Sequence, residues 1–363
     1  MRSVQAYQEL FSAHLSSLSF EKKPKGLYEP ISYIMQLGGK RMRPVLTLMG
    51  CEAMGNKPNY ALGAATAVEL FHNFTLLHDD IMDEATLRRG QQTVHQKWDI
   101  NTGILSGDAL LVMAYQQLNS YEDALFSLLT KLLSETALLV CEGQQYDVDF
   151  ETRENVSMDE YIHMIRLKTA VLLGCALHMG ALVGQASVGI ADSLYKFGVN
   201  LGIAFQLQDD LLDAFGDSKT FGKKVGGDIV ENKKTILYHL TRAHATAKDL
   251  ADFEQLMSSK PKDESQKIKA VKAIYESTDV RRRTTEQVMA YTKNALDALN
   301  QSSLANNKIA YFGILSEYFG KNYGGYLLSE AITKSFENSI ERVWVHTCSL
   351  DHKNALKNYQ ARG

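Results

Sequence analysis

The chain has 363 residues, of which 45% are hydrophobic and 22% charged, with a formal net charge of -3 at pH 7. A chain of this length can form one large or two ordinary domains with a sizeable apolar core. The slightly acidic balance argues against a protein that binds nucleic acid, so any phosphate binding must come from local clusters of basic residues.

The N-terminus and the cysteines favour a reduced, cytoplasmic protein. The segment MRSVQAYQELFSAHL lacks the uninterrupted apolar stretch of a signal peptide. We also find no apolar run of the length needed to span a bilayer, and therefore expect no stable membrane insertion. The four cysteines lie far apart, without the spacing of a zinc site or a disulfide framework.

Most of the chain has the pattern of buried helices. The stretch from Asn59 to Lys260 contains no proline and is rich in Ala, Leu, Met, Gln and Glu, which favour helices. Segments such as ALFSLLTKLLSETALLVCEGQQ repeat apolar residues every three or four positions. This pattern predicts an all-helical domain over residues 1–305.

The first acidic motif lies in HNFTLLHDDIMDEATLRRG, residues 72–90. On a helix, His72, Asp79 and Asp83 share one face, and Asp80 lies beside them. Crowding carboxylates in this way costs electrostatic repulsion, which a hard cation such as magnesium offsets. One such motif alone is better explained as a solvated helix end.

A second acidic motif repeats the arrangement in FQLQDDLLDAFGD, residues 205–217. Gln206, Asp209, Asp210, Asp213 and Asp217 fall on one side of a helix. Because both motifs follow apolar helical runs, they predict paired magnesium sites that face each other across a cavity.

Basic residues stand close to both motifs in the sequence. They are Lys40, Arg41 and Arg43 in GGKRMRP, Arg88 and Arg89 after the first motif, Lys168 in RLKTA, and Lys223, Lys224, Lys233 and Lys234 in FGKKVGGDIVENKKT. Each one alone is more often a surface charge. Together with two metal sites they suit a diphosphate, since arginine offers a bidentate fork and lysine a point charge.

With these motifs the sequence resembles the trans-type isoprenyl diphosphate synthases. The likeness covers about residues 25–300, in the order GGKRMRP, ELFHNFTLLHDDIMDEATLRRGQQTVH, GDALL, EGQQYDVDFE, KTA, FQLQDDLLDAFGD and GKKVGGDIVENKKT. The resemblance implies the isoprenoid synthase fold, an antiparallel helical bundle around a deep central cavity, usually in a homodimer.

The resemblance also implies the roles of individual residues. Two to three magnesium ions would be held by Asp79, Asp80, Asp83, Asp209, Asp210 and Asp213. The allylic diphosphate would contact Arg88, Lys168, Thr169, Gln206, Lys223 and Lys233, with Lys168 also counted among the catalytic residues. Isopentenyl diphosphate would contact Lys40, Arg43, His72 and Arg89. For His72, a buried core histidine is the alternative explanation.

The chemistry expected of the family is the head-to-tail condensation of isopentenyl diphosphate with dimethylallyl, geranyl or farnesyl diphosphate. Metal ions and basic side chains stabilise the charge on the departing diphosphate. An apolar cavity keeps water from the allylic carbocation, which the double bond of isopentenyl diphosphate attacks. The lost proton would go to the released diphosphate, and no cofactor beyond magnesium is implied.

Product length is expected to depend on residues one turn before the first motif. Ideal helical geometry places Thr75 nearly under Asp79, whereas Phe74 is rotated by roughly 140°. The role of Phe74 as the stop for the growing chain therefore follows from the resemblance, with a packing role as the alternative. We predict geranylgeranyl diphosphate as the product, with farnesyl diphosphate second.

The C-terminal residues have a different pattern. Residues 306–363 suggest a short α/β-like appendage that resembles part of a GNAT-type N-acetyltransferase, with Gly324 in the acetyl-CoA turn and Tyr359 at the general-acid position. Phe319 and Asn322 depart from that family's pattern. Since the front half of such a domain is absent, we expect this segment to be non-functional.

Two other classes of protein share parts of this pattern. A terpene cyclase also ionises an allylic diphosphate, but its second motif normally contains Asn, Ser or Thr, and Glu, whereas DDLLD here is all aspartate. A non-catalytic partner subunit would be expected to have lost aspartates or basic residues, and none is missing. Condensation is therefore the preferred hypothesis.

Overall fold

The computed structural model describes residues 1–216, 225–258, 263–302 and 304. In chain order the helices are α1 (Val4–Ser17), α2 (Lys25–Gln36), α3 (Met42–Ala53), α4 (Leu62–Met82), α5 (Val94–Lys97), α6 (Ile100–Gln117), α7 (Asp123–Thr152), α8 (Met158–Ile165), α9 (Val171–Val183), α10 (Val188–Phe215), α11 (Gly227–Val230), α12 (Ile236–His244), α13 (Ala247–Ser258), α14 (Glu264–Ser277) and α15 (Val280–Asn300). Short 3-10 turns at Pro58–Ala61 and Leu118–Ser120 connect some of them. The predicted all-α class is confirmed, whereas residues 306–363, Asp217, Lys223 and Lys224 lie outside the described residues.

Several helices begin at the polar residues that cap exposed backbone N–H groups. The Asp99 carboxylate accepts a hydrogen bond from Thr102 N at 2.7 Å and starts α6. Ser157 and Glu160 form a reciprocal capping box at the start of α8. These caps set the starting points of the two helices that lie beside the acidic motifs.

A two-stranded hairpin, which the sequence pattern did not predict, interrupts the helices. Strand β1 (Leu87–Arg88) pairs antiparallel with β2 (Gln91–Gln92). The turn residues Arg89 and Gly90 have φ of 53° and 77°, as a tight hairpin turn requires. The hairpin folds the chain back after α4, so that basic residues return to the first acidic motif.

The helices pack around two apolar cores that share α10. Contacts join α4 to α6, α3 to α9, α9 to α10, and α10 to α15. The N-terminal half of α10 contributes Phe197 and Leu201 to a core with α3, α4 and α9. Its C-terminal half contributes Leu207 and Leu211 to a second core with α8 and α12–α15. Helix α10 therefore holds its acidic end against both halves of the bundle.

Two helical stretches are long and apolar enough to span a bilayer by length and composition, which contradicts the expectation that no run reaches that length. They are Asp123–Thr152, whose apolar window is 22% buried, and Met158–Val183, whose window is 72% buried. The second matches a core helix of a bundle. The first leaves much of its apolar surface uncovered.

Candidate active site

The first acidic motif occupies the end of α4. Asp79 and Asp80 lie in its last turn, and Asp83 is the residue just after the helix rather than a helical one. Arg88 returns on the hairpin, and its Nε donates to Asp80 Oδ1 at 2.8 Å. Burial raises the pKa of Asp79 to about 6, while the positive charge of Lys168 opposes this rise. The motif therefore contains one buried and one partly buried carboxylate, and the charges of Arg88 and Lys168 compensate part of their negative charge.

The second acidic motif lies in the last turns of α10. Asp210 is buried; its Oδ2 accepts a hydrogen bond from the Tyr161 hydroxyl, and its Oδ1 accepts one from Gln206 Nε2 at 3.1 Å. Burial raises the pKa of Asp210 to about 6. The two hydrogen bonds fix this carboxylate and, with it, the orientation of the end of α10.

The π-helical turn Arg166–Ala170 lies between α8 and α9. Its side chains interact with groups of both acidic motifs. Lys168 Nζ lies 2.6 Å from Asp147 Oδ2 on α7, and its charge also acts on Asp79. Thr169 Oγ1 donates to Gln206 Oε1 at 3.3 Å, and Gln206 in turn contacts Asp210. Such turns are rare within α-helices and frequently mark functional sites. Side chains from this one turn thus reach towards both acidic motifs.

Gly143 on α7 permits this close approach. A Cβ at this position would lie 2.2 Å from the backbone nitrogen of Lys168. Because the obstacle is backbone rather than a flexible side chain, no larger residue fits without moving the turn. Gly143 therefore sets the distance between α7 and the π-helical turn.

Asp228, at the start of α11, is a functional candidate that the sequence analysis missed. Its backbone N–H donates to Asp213 Oδ2 at 3.1 Å. Burial and the charges of Asp210 and Asp213 raise its pKa to about 8. Asp147 was missed as well, although its pairing with Lys168 ties α7 to the site. Both lie in stretches that carry the resemblance, EGQQYDVDFE and GKKVGGDIVENKKT, but neither has a basic neighbour in the sequence that would have marked it.

Lys233, which is predicted to contact the allylic diphosphate, lies beside Asp228 and Glu231. Its Nζ lies 3.0 Å from Glu231 Oε2 and 4.0 Å from Asp228 Oδ1. Although burial lowers it, the charges of Asp228 and Glu231 raise the pKa of Lys233 above its usual value. The ammonium is therefore a fixed positive charge beside the second motif.

The predicted residues of the second diphosphate site meet at the start of α3. Arg43 Nη1 lies 3.1 Å from His72 Nε2 on α4. Arg89 Nη1 donates to the carbonyl of Gly38. Burial, followed by the charges of Arg43 and three other arginines, lowers the pKa of His72 well below its usual value. His72 is therefore neutral and accepts a hydrogen bond from Arg43, so it orients that arginine.

Phe74 and Thr75 face different directions. The Phe74 ring lies edge-on to His78 at a centroid distance of 4.8 Å. His78 Nε2 in turn lies 3.2 Å from the carbonyl oxygen of Ile104 on α6. Thr75 Oγ1 donates to the His72 carbonyl at 2.8 Å. Phe74 thus packs against His78, which contacts α6, and its predicted role in chain length stays a prediction.

The donor set fits magnesium that is shared with a bound anion. Within the described ranges, no three His, Cys, Asp or Glu side chains are grouped closely enough to hold a metal by themselves. Asp80 Oδ2 is nevertheless buried without a hydrogen-bond partner, at a cost that a cation would relieve. Magnesium usually keeps waters and substrate phosphate oxygens in its shell, so a spread carboxylate set suits it.

Comparison with known proteins gives consistent matches. The sequence profile of the polyprenyl synthetase family matches residues 24–274. A geranylgeranyl diphosphate synthase from Methanosarcina mazei is 43% identical over 217 residues, covering 59% of this chain and 67% of that protein. A geranylgeranyl pyrophosphate synthase from Geoglobus acetivorans is 36% identical over 303 residues, covering 82% and 92%. Among solved structures, a geranylgeranyl pyrophosphate synthase matches with a TM-score of 0.83 at 45% identity, covering 91% of this chain and 99% of that one.

Proposed function

The chain belongs to the polyprenyl synthetase family, and we propose that it is a prenyltransferase that condenses isopentenyl diphosphate with an allylic diphosphate to give geranylgeranyl diphosphate. The observation that supports this proposal is that one turn interacts with groups of both acidic motifs: the charge of Lys168 acts on Asp79, and Thr169 donates to Gln206. The relatives named as geranylgeranyl diphosphate synthases support the product.

The metal-binding role falls to the two motifs and to Asp228. Asp80 keeps one oxygen without a hydrogen bond, whereas each oxygen of Asp210 already accepts one. We therefore expect Asp210 to orient the second motif. The ions would be held by Asp79, Asp80, Asp83, Asp209, Asp213 and Asp228. When bound, two to three magnesium ions supply Lewis-acid stabilisation of the departing diphosphate.

The allylic diphosphate would be held by the basic and polar groups between the motifs. These are Arg88, Lys168, Thr169, Gln206 and Lys233, with Lys223 outside the described residues. Lys168 now pairs with Asp147 and Arg88 with Asp80, so their positions are set before the substrate arrives. Fixed charges of this kind need little reorganisation as negative charge builds on the leaving group.

Isopentenyl diphosphate would bind at the basic loop before α3, near Lys40, Arg43, His72 and Arg89. Neutral His72 holds Arg43 in place, and the carbonyl of Gly38 holds Arg89. Two arginines presented in this way suit bidentate recognition of a diphosphate. The double bond of this substrate then attacks the allylic carbocation, and the released diphosphate takes the proton.

We also propose that the protein works as a homodimer through α6 and α7. These helices expose large apolar side chains: Leu105 and Val112 on α6 are 60% and 57% exposed, and Leu138 on α7 is 62% exposed. Large exposed apolar side chains on two long helices are typical of a protein interface. A second copy of the chain, presenting the same face, would cover it.

A product assay tests the proposal. The protein is incubated with magnesium, isopentenyl diphosphate and labelled dimethylallyl, geranyl or farnesyl diphosphate, and the dephosphorylated products are separated by chromatography. We expect a linear twenty-carbon alcohol. A cyclic hydrocarbon would show a terpene cyclase, a fifteen-carbon alcohol a farnesyl diphosphate synthase, and no turnover a non-catalytic partner subunit.

A pair of matched variants shows whether the site itself is responsible. Asp79→Asn should lower turnover by about 100-fold or more, as for the loss of one key electrostatic group. Asp252→Asn removes the same charge from an exposed position on α13 and should leave turnover unchanged. Equal activity of the two variants would contradict the assignment of the first motif.

A further inference from the structure

We propose that a buried ion pair between Arg41 and Glu69 positions the isopentenyl diphosphate site by locking the basic loop onto α4. Arg41 stands between Lys40 and Arg43, yet its side chain faces inwards. The inference rests on the proposed function, because the ligand of this loop is the isopentenyl diphosphate assigned above. It adds positioning residues that do not themselves contact the substrate.

The pair is well buried and held from both sides. The side chains of Arg41 and Glu69 are 8% and 3% exposed, and Arg41 Nη1 contacts Glu69 Oε1. The other guanidinium nitrogen, Nη2, donates to the carbonyl of Met35 at 2.6 Å, near the end of α2. One side chain therefore connects α2, the loop and α4.

Glu69 lies in the part of α4 that carries His72, one of the residues proposed to bind isopentenyl diphosphate. Asn73 Nδ2 donates to both the carbonyl and the Oε1 of Glu69, at 2.8 and 3.2 Å. His72 is three residues after Glu69, so it lies close to the same helical face. His72 contacts Arg43, so Arg41–Glu69 and Arg43–His72 tie the loop to α4 at two neighbouring points.

The loop needs this ion pair because the backbone conformation and the charges of its own residues destabilise it. Arg41 has φ of 50°, in the left-handed region that costs energy for a side chain other than glycine. Lys40, Arg41, Arg43 and Arg89 also gather positive charge that repels itself. Glu69 compensates one of these charges inside the protein and leaves the others to face an anion. Removing one partner leaves an uncompensated buried charge, which the loop can relieve only by moving.

A purely structural pair and a positioning pair predict different kinetics. If the pair only stabilised the fold, its loss would affect both substrates alike or neither. If it positions the loop, its loss should weaken isopentenyl diphosphate selectively, since the allylic site is built from α4, α10 and the π-helical turn. The test is therefore the split between the two substrates' KM values.

The experiment compares Glu69→Gln with wild type in steady-state assays that vary each diphosphate in turn. We expect KM for isopentenyl diphosphate to rise about tenfold or more, a change worth about 1.4 kcal/mol per factor of ten. KM for the allylic diphosphate and kcat at saturation should stay close to wild type. Calorimetric titration with isopentenyl diphosphate alone should show the same weakening. Arg41→Lys keeps the charge but loses the bidentate guanidinium. Its KM for isopentenyl diphosphate should lie between those of wild type and Glu69→Gln.

Glu52→Gln is the matched control, since Glu52 pairs with Arg2 at the other end of α3. It should leave both KM values unchanged. If Glu69→Gln does not fold, the double variant Arg41→Met with Glu69→Met removes both charges at similar volume and should still raise KM for isopentenyl diphosphate. Equal shifts for both substrates, or none, would overturn the inference. A wild-type protein that neither turns over nor binds isopentenyl diphosphate would instead contradict the proposed function.

Discussion

Replacing Gly143 by alanine tests whether the contact between α7 and the π-helical turn controls catalysis. The added Cβ would lie 2.2 Å from Lys168 N and 2.7 Å from Lys168 Cα, where ordinary contacts begin at 3.4 Å. The two backbones must therefore separate by about an ångström. Lys168 and Thr169 would move with the turn, which would lengthen the contact of Lys168 with Asp147 and disturb that of Thr169 with Gln206.

Gly143→Ala should have a small effect on stability and a large effect on activity. Overpacking of this kind costs about 1–3 kcal/mol. Alanine is a better helix former than glycine by about 1 kcal/mol, which offsets part of that cost within α7. The net loss should lower Tm by only a few degrees. A displacement of about 1 Å at a reacting group, in contrast, costs about 100-fold in rate.

The assay measures kcat/KM for the allylic diphosphate together with Tm, for Gly143→Ala and for Gly189→Ala. Gly189 also lies in a helix, but nothing lies within 4 Å of an added Cβ there. We expect about a 100-fold loss for Gly143→Ala and wild-type activity for Gly189→Ala. Wild-type kcat/KM in Gly143→Ala would refute the reasoning, because the turn would then tolerate the displacement.

Three further predictions follow from burial and exposure. Burial lowers the pKa of His239 to about 4; the unfolded chain takes up this proton near pH 6.5, so the folded state should lose roughly 3 kcal/mol as pH falls from 6.5 to 4. Denaturant unfolding should show the same pH dependence in wild type and in the exposed variant His244→Gln, and a loss that is smaller by roughly this amount in His239→Gln. Phe74→Ala should lengthen the prenyl product on chromatography, and an unchanged length would limit Phe74 to packing. Leu138→Glu should shift the protein from dimer to monomer in sedimentation, while an unchanged mass would place any interface elsewhere.

The fold could be predicted from the sequence because its signals are local and repeated. The long stretch without proline and the apolar periodicity indicate helices, and helices α4, α7 and α10 follow that pattern. The hairpin after α4 was missed because its strands have two residues each, too short for an alternating pattern. Asp83 was placed on the helix by the same periodicity, yet α4 ends one residue earlier.

The site could be predicted only where its residues are neighbours in sequence. The two motifs are local, so the sequence alone could propose their carboxylates as metal ligands. Asp147 and Asp228 have no such local pattern, and their importance depends on contacts with Lys168 and Asp213, which are distant in the chain or across a turn. The inward direction of Arg41 was likewise hidden, because a basic residue in a basic stretch gives no sign of a buried partner.

The position of the two motifs explains why the protein keeps so many buried acids together. Asp79 and Asp80 are in the last turn of α4, and Asp213 is in the last turn of α10. The C-terminal end of a helix already carries about half a negative charge, so each carboxylate there is unfavourable. Burial adds to this cost, as the raised pKa values of Asp79 and Asp210, both about 6, indicate. Arg88 and Lys168 compensate part of the charge, and cations bound with a diphosphate would compensate the rest. This residual negative charge is the property that the proposed binding of magnesium and, through it, of a diphosphate requires.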